Sequence, residues 1–215
     1  MEITAEKIMQ QLSAGTQVAG VIAVFGEEGY YKDKIAAALP RAVFGDAAPE
    51  DREITVFECD TDIKEISAAV NTYPFFSGRS LVIIKDEKLW GGKDGGEKRK
   101  QQQEELAELL ADVPEHCQVL LLGEKIDKRG KLYKSLLKTA AMVECKSLKS
   151  YQLKPWLDEQ AALRGCCFDY EASQTIMEYL SVTDNAPLLL LEQEIEKLSV
   201  YAGERKIWTK DDIEQ

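Results

Sequence analysis

The sequence contains little of what metal-binding, disulfide-bonded or membrane-spanning proteins require. It has one histidine, His116, and its five cysteines include no C-x-x-C pair, so no zinc-ligand spacing is present. The cysteine count is odd, and Cys166 and Cys167 are adjacent, which favours a reduced cytoplasmic protein over a disulfide framework. No run approaches about 18–20 consecutive apolar residues, and residues 1–6 form no basic leader, so we expect neither a membrane span nor a signal peptide.

Positive charge and catalytic motifs are also scarce. The chain has 27 lysines and arginines against 38 aspartates and glutamates, and its net charge of −11 argues against nucleic-acid binding over the whole surface. His116 lies in an expected loop, and no serine or cysteine has a recognisable nucleophile setting. We therefore expect no catalytic residue, no metal site and no stand-alone enzyme.

Apolar runs and helical periodicities alternate through residues 1–146. Strands are predicted at residues 20–25, 52–59, 81–84, 118–122 and 142–145. Helices are predicted at residues 3–14, 30–43 and 101–110, from 60–67 onward, and at 131–138. Pro40 is expected to kink or end the second of these helices. Such alternation predicts an α/β domain with a mostly parallel sheet.

The pattern changes over residues 147–215, where helical periodicity continues and no strand is evident. Helices are predicted around Trp156 up to Gly165, at residues 170–180 and 187–201, and in a last turn that Thr209 caps. We expect a small all-α domain there. The last residues read as an interrupted helix, which suggests a fragment of a longer protein.

An aromatic cluster stands between the third predicted helix and the strand at residues 81–84. It consists of Tyr73, Pro74, Phe75 and Phe76, and a glycine follows two residues later. Two adjacent phenylalanines cannot both point inward from an extended backbone, because successive side chains alternate in direction. One interpretation is a hydrophobic tip made for a partner. The other is that one phenylalanine belongs to the core while its neighbour covers a crevice.

The turn after the first strand occupies the position of a nucleotide-binding P-loop. A phosphate cradle requires G-x4-G-K-[ST], and counting from Gly26 the last three places hold Tyr31, Lys32 and Asp33. The lysine is in register, but the tyrosine blocks the approach of a phosphate and the aspartate replaces the hydroxyl that holds Mg²⁺. The glutamates at positions 27 and 28 would repel a phosphate. We expect no tight ATP binding and no cofactor.

Two further segments carry charge that could serve function. Asp86 and Glu87 follow the third strand and resemble a degenerate Walker B pair. A lysine separates them from the strand, so they lie one residue later than a metal-binding pair would. Surface charges are therefore the simpler interpretation. The glycine-rich residues 91–98 after them indicate a flexible excursion. A basic segment comprises Lys125, Lys128, Arg129, Lys131, Lys134 and Lys138. It is either a solvated helix face or a contact for DNA or another subunit.

Together these stretches resemble the delta subunit of the bacterial DNA polymerase III clamp loader. The similar stretches are V-F-G-E-E at residues 24–28, P-F-F-S-G-R at 74–79, L-V-I-I at 81–84, K-I-D-K-R at 125–129, L-Y-K at 132–134 and L-E-Q-E-I-E-K-L-S-V-Y at 191–201. No single stretch is diagnostic, but their order and spacing are fairly specific.

The resemblance implies an AAA+-like fold, in which a RecA-type α/β domain (residues 1–146) precedes a lid-type helical domain (residues 147–215) and a collar domain that is absent here. It implies a subunit without its own ATPase activity that binds the beta sliding clamp and opens one ring interface during replication. Other implied partners are the gamma/tau and delta prime subunits and, indirectly, primed DNA.

The family's clamp contact is a hydrophobic pair at the tip of this loop, which by position falls on Phe75 and Phe76, with Tyr73 as a neighbour. Many relatives carry leucine at the first of these two places, so Phe75 departs in shape but not in chemistry. Two alternatives remain: a nucleotide-dependent ATPase that uses Lys32 with the acidic pair, and a DNA-contacting module that uses the basic segment. A fragment of this kind is expected to be monomeric.

Overall fold

The computed structural model describes residues 1–16, 18–58, 61–85, 96–181 and 187–214. The chain divides into two compact units. The first comprises Met1–Glu27 and Tyr31–Cys145, and the second comprises Glu28–Tyr30 and the residues from Lys146 onward. Across the described residues, no helix is both long enough and apolar enough to cross a membrane.

The first unit is built on one parallel sheet of five strands. The strands are β1 (Val21–Phe25), β2 (Glu53–Phe57), β3 (Ser80–Ile84), β4 (Cys117–Gly123) and β5 (Ala140–Glu144). Their order is β2-β3-β4-β1-β5, and each neighbouring pair is parallel. This confirms the predicted α/β fold with a mostly parallel sheet.

Helices connect these strands. They are α1 (Ala5–Ser13), α2 (Gly29–Phe44), α3 (Ile63–Asn71), α4 (Gly96–Leu109) and α5 (Lys131–Thr139), with a short 3-10 turn at Pro49–Asp51. Because α2 continues past Pro40 to its end, the expectation that the proline could end the helix is wrong. Leu39 and Val43, on either side of Pro40, are buried in the core, and their packing holds the last turn in place.

Two hydrophobic layers cover the two faces of the sheet. Alternate residues of the central strands point to opposite faces, so that β1 contributes Val21 and Ala23 to one layer and Ile22 and Val24 to the other. The first layer includes buried side chains of α3, α4 and α5, and the second includes those of α1 and α2. β2 lies at the edge of the sheet and is more exposed than the strands beside it.

All strands of a parallel sheet begin at the same edge, and this fixes which loops meet. Glu53 at the start of β2 is in register with Ser80 at the start of β3, and Ser80 is in register with Cys117 at the start of β4. The segment before β3, the first residue of β2 and His116 before β4 therefore share one edge. The turn after β1 lies at the opposite edge.

The second unit is mainly helical. Its helices are α6 (Ser150–Leu163), α7 (Tyr170–Ser181), α8 (Leu188–Ala202) and α9 (Lys210–Ile213). It also contains two strands of two residues, β6 (Cys167–Phe168) and β7 (Ile207–Trp208), which pair in parallel. The expectation that this region holds no strand is therefore wrong. Strands of two residues leave no periodicity to detect, and these are fixed by the buried Trp208, whose ring centroid lies 5.2 Å from that of Phe168.

Candidate functional site

The aromatic tip, which consists of Tyr73, Phe75 and Phe76, lies between α3 and β3, at the edge of the sheet where its strands begin. The exposed fractions are 70% for Tyr73, 89% for Phe75 and 70% for Phe76, whereas Pro74 is buried. The phenylalanine rings lie next to each other, with centroids 5.9 Å apart and planes inclined by 57°. Both therefore face solvent, and the alternative in which one of them belongs to the core is wrong.

Local hydrogen bonds shape the segment that carries the tip. Thr72 ends α3, because both its backbone N–H and its hydroxyl donate to the carbonyl oxygen of Ala68, over 3.0 and 2.7 Å. At the other end Gly78 has φ +66°, a conformation that glycine adopts without strain, and it turns the chain into β3. The Ser77 hydroxyl donates to the carbonyl oxygen of Arg79 over 2.7 Å. The tip thus stands on a defined turn.

Glu53 holds the backbone of the tip from the neighbouring strand. The N–H of Phe75 donates to both carboxylate oxygens of Glu53, over 2.9 Å to Oε1 and 2.7 Å to Oε2. The N–H of Phe76 donates to Oε2 over 3.4 Å. The role of Glu53 was not predicted from the sequence. Its partners are 22 and 23 residues away in the chain, and the strand register that brings them together leaves no local pattern.

His116 supports the other side of the tip. Its ring lies against that of Tyr73, with centroids 5.1 Å apart and planes inclined by 58°. Its carbonyl oxygen accepts a hydrogen bond from the N–H of Ser80 over 2.8 Å. From the sequence, the chain's one histidine was assessed as a zinc ligand and as a catalytic residue, and neither role was expected. The structure places it at the base of the aromatic tip instead.

At the opposite edge, the chain's own groups fill the position of the degenerate P-loop. Gly26 has φ +133°, and a Cβ built on it would overlap the carbonyl group of Cys145, so that its lack of a side chain serves a close approach to the end of β5. Its N–H donates to the carbonyl oxygen of Gly123 over 3.2 Å. The ammonium of Lys32, which is in register with a phosphate-binding lysine, donates to the carbonyl oxygen of Gly26 over 2.8 Å.

The residue directly before α2, Glu28, supplies an anion at the amino end of this helix. The buried carboxylate of Glu28 accepts a hydrogen bond from the N–H of Tyr30 over 2.9 Å. A phosphate bound at a helix N-terminus needs such N–H groups. Tyr31 is partly buried and packs against the hydrophobic layer that includes α1 and α2, and Asp33 is exposed.

Other residues of the degenerate nucleotide motifs lie outside the described residues. They are Asp86 and Glu87, together with residues 91–95 of the glycine-rich segment. Residues 96–98 form the start of α4, which therefore begins before the predicted residue 101. Within the described ranges, no group of three or more histidine, cysteine, aspartate or glutamate side chains could hold a metal ion.

The basic segment is exposed, but much of its charge is paired. Lys128 donates to Glu144 over 2.8 Å, and this hydrogen bond raises the pKa of the lysine. Lys131 pairs with Glu104 at 2.6 Å, and Arg129 lies 3.6 Å from Asp127. Lys125 and Lys134 are exposed to solvent. Lys138 is exposed as well. The structure therefore brings all six cations of the basic segment to the surface, and carboxylates compensate three of them.

Known proteins with a similar sequence are clamp-loader subunits. The sequence profile described as "DNA polymerase III, delta subunit" matches residues 25–146. A DNA polymerase III subunit delta from Bacillus subtilis (strain 168) is 28% identical over 200 residues, which cover 92% of this chain and 56% of that protein.

Solved structures give a consistent result. The DNA clamp loader delta protein of Bacillus subtilis superposes with a TM-score of 0.73 at 26% identity, covering 98% of this chain and 61% of that one. A chain of the HORMA:CdnC:Trip13 complex from E. coli MS115-1 matches with a TM-score of 0.56 at 12% identity, which concerns the fold alone. It covers 98% of this chain and 76% of that chain. The present chain thus spans about three-fifths of the length of the two delta relatives.

Proposed function

The chain belongs to the DNA polymerase III delta subunit family, and we propose that it acts in a clamp loader by binding a sliding clamp through Phe75 and Phe76. The membership confirms the family that the sequence resembles. The first unit, with its five-stranded parallel sheet, has the AAA+-like, RecA-type fold expected of this family. Similarity to the Bacillus subtilis clamp loader delta protein supports the clamp as the partner.

The observation that carries the proposal is the exposure of two adjacent aromatic rings. Folding alone gives no reason to leave Phe75 and Phe76 in water, since each would gain free energy from burial. Together they can contribute roughly 3–6 kcal/mol when a partner's pocket removes them from water. A micromolar complex requires about 8 kcal/mol, so the pair can dominate the interface, while Tyr73 and neighbouring groups supply the remainder.

Replacing both phenylalanines by alanine tests this assignment. We expect Phe75→Ala/Phe76→Ala to weaken binding to a purified bacterial sliding clamp at least about 100-fold, because anchor residues of this kind commonly cost about 2 kcal/mol or more each when truncated. Isothermal titration calorimetry measures the affinity. The melting temperature should not fall, because the rings are exposed in the free chain.

Tyr151→Ala is the matched control, because Tyr151 is an aromatic residue of the second unit that is 73% exposed. It should leave clamp affinity unchanged. Clamp binding by the double variant at the affinity of the unchanged chain would remove the aromatic tip from the mechanism.

Ring opening is the second part of the proposed function. A subunit opens a ring only if it binds the opened interface more tightly than the closed one, because equal affinity for the two states shifts nothing. A clamp variant that cannot close should therefore bind this chain more tightly than the closed ring does. Equal affinities for the two clamps would restrict the chain to binding without opening.

We further propose that the subunit does not use ATP itself. The supporting contact is the hydrogen bond that the Lys32 ammonium donates to the carbonyl oxygen of Gly26. A bound phosphate would require this ammonium as its own donor. Titration of the chain with Mg-ATP should give no heat of binding. A measurable affinity that is lost in Lys32→Ala would support the alternative of a nucleotide-dependent subunit.

A further inference from the structure

We propose that Glu53 is a positioning residue for the clamp contact, which fixes the backbone of the aromatic tip before a clamp arrives. This inference rests on the proposed function of Phe75 and Phe76. The supporting contacts are the hydrogen bonds from their N–H groups to the carboxylate of Glu53, the shortest of which is 2.7 Å. One side chain therefore restrains both residues of the pair.

These hydrogen bonds matter because the phenylalanine side chains gain little restraint from packing. A ring that is 89% exposed, like that of Phe75, has few neighbours in the free chain. Hydrogen bonds to an ionised acceptor are shorter and stronger than neutral ones. The N–H of Phe75 lies within hydrogen-bond distance of both carboxylate oxygens, which limits the orientations the peptide group can adopt.

The sheet gives the carboxylate a rigid base. Glu53 is the first residue of β2 and is in register with Ser80, the first residue of β3, into which the tip-bearing segment leads. The N–H of Ser80 in turn donates to the carbonyl oxygen of His116 before β4. Three strands thus define the position of the carboxylate relative to the peptide groups that it binds.

The expected consequence is pre-organisation. A segment that is ordered only on binding loses conformational freedom at that moment, and the loss reduces affinity. If Glu53 already orders the backbone of the pair, its removal should weaken clamp binding about tenfold without removing any atom of the phenylalanine side chains. Such a loss is much smaller than that expected for the double alanine variant.

The test compares Glu53→Ala and Glu53→Gln with Glu50→Ala in the same 215-residue chain. Glu50 is an exposed carboxylate in the 3-10 turn before β2, so its removal changes the net charge equally and serves as the control. Glutamine keeps one carbonyl oxygen that can accept a hydrogen bond, and it should partly restore what alanine loses.

Two measurements are made on each variant. Nuclear magnetic resonance reports the amide proton shifts and hydrogen-exchange rates of Phe75 and Phe76, and calorimetry reports the affinity for a purified bacterial sliding clamp. In Glu53→Ala the exchange of both amides should accelerate about tenfold and the affinity should fall about tenfold. Glu53→Gln should give intermediate values, and Glu50→Ala should match the unchanged chain.

The outcomes separate this inference from the proposed function. Unchanged amide exchange in Glu53→Ala overturns it, and so does accelerated exchange together with unchanged clamp affinity. If Phe75→Ala/Phe76→Ala binds the clamp as the unchanged chain does, the proposed function fails, and the role of Glu53 in clamp binding fails with it. If that variant loses binding while Glu53→Ala does not, only the positioning role is overturned.

Discussion

Gly26 lies just after the end of β1, where the backbone passes close to Cys145 after β5. In a working phosphate cradle this glycine would allow the backbone to approach a nucleotide. Here the space is taken by the carbonyl group of Cys145, and the backbone has φ +133°. The packing of β1 against the end of β5 thus requires glycine at position 26, independently of nucleotide binding.

Substituting Gly26 should therefore destabilise the chain whether or not a nucleotide binds there. Gly26→Ala is expected to lower the free energy of unfolding by more than about 2 kcal/mol, because the added methyl group collides with backbone and the conformation is strained for alanine. Urea denaturation measures the change. Gly20→Ala is the control, since nothing lies within 4 Å of the added methyl group, and it should change stability by less than about 0.5 kcal/mol. Equal midpoints for the two variants would contradict the argument.

The exposed tip was one of two interpretations that the local sequence left open, and its supports could not be predicted. Adjacent phenylalanines beside Pro74 conflict with the alternation of an extended chain, and this conflict is local and visible. Glu53 and His116 act through strand register, which brings together residues 22 or more positions apart. Nothing in the residues around Glu53 distinguishes it from an ordinary glutamate at the start of an edge strand.

At the scale of whole elements, prediction succeeded where hydrophobicity was continuous. β1, β3 and β4 are almost entirely buried, and their apolar runs identify them without reference to the rest of the chain. Of the two outcomes predicted for Pro40, the end of the helix is wrong, because the cost of a proline within α2 is offset by tertiary packing that a local rule does not include. Prediction also missed β6 and β7, which are too short to show any alternation.

The short helix α9 depends on one buried carboxylate. Asp212 accepts hydrogen bonds from the N–H and the hydroxyl of Thr209, over 2.9 and 3.0 Å, and forms an ion pair with Arg205 at 2.6 Å. Asp212→Asn should lower the free energy of unfolding by about 1–3 kcal/mol, since hydrogen bonds to a charged acceptor are weakened. Thermal denaturation measures this. Asp211→Asn is the control, because Asp211 is exposed, and an equal loss in both variants would contradict the assignment.

The same carboxylate gives an expected pH dependence. Hydrogen bonding from the Thr209 N–H, followed by the contributions of Arg205 and the Thr209 hydroxyl, lowers the pKa of Asp212 below its ordinary value despite its burial. The unfolded chain therefore takes up this proton at a higher pH than the folded chain. The stabilisation is fully present above about pH 4 and is lost as the pH falls through the folded pKa. Asp212→Asn should show a smaller loss of stability in this range than the unchanged chain.

For the molecule as a whole, the distribution of charge favours a protein partner over DNA. The net charge is −11, and three of the six cations of the basic segment already pair with carboxylates. The exposed aromatic rings of the first unit, by contrast, lie on a segment ordered by Glu53 and His116. An acidic surface repels a phosphate backbone, and a hydrophobic tip needs a pocket that nucleic acid duplexes do not offer.

The basic segment is therefore expected to bind primed DNA only weakly when the chain is alone. We predict a dissociation constant of about 10⁻⁴ M or weaker at physiological salt, the weak end of non-specific binding, because counterion release from the other three cations of the segment is small. Fluorescence anisotropy of labelled primed DNA at 50 and 200 mM salt measures this. Lys125→Ala/Lys134→Ala should leave the weak signal unchanged. A micromolar affinity that falls steeply with salt and disappears in this variant would instead make the segment a DNA contact of the isolated chain. The two altered lysines are among the three exposed cations of the segment, with Lys138, that are not in its three described carboxylate pairs.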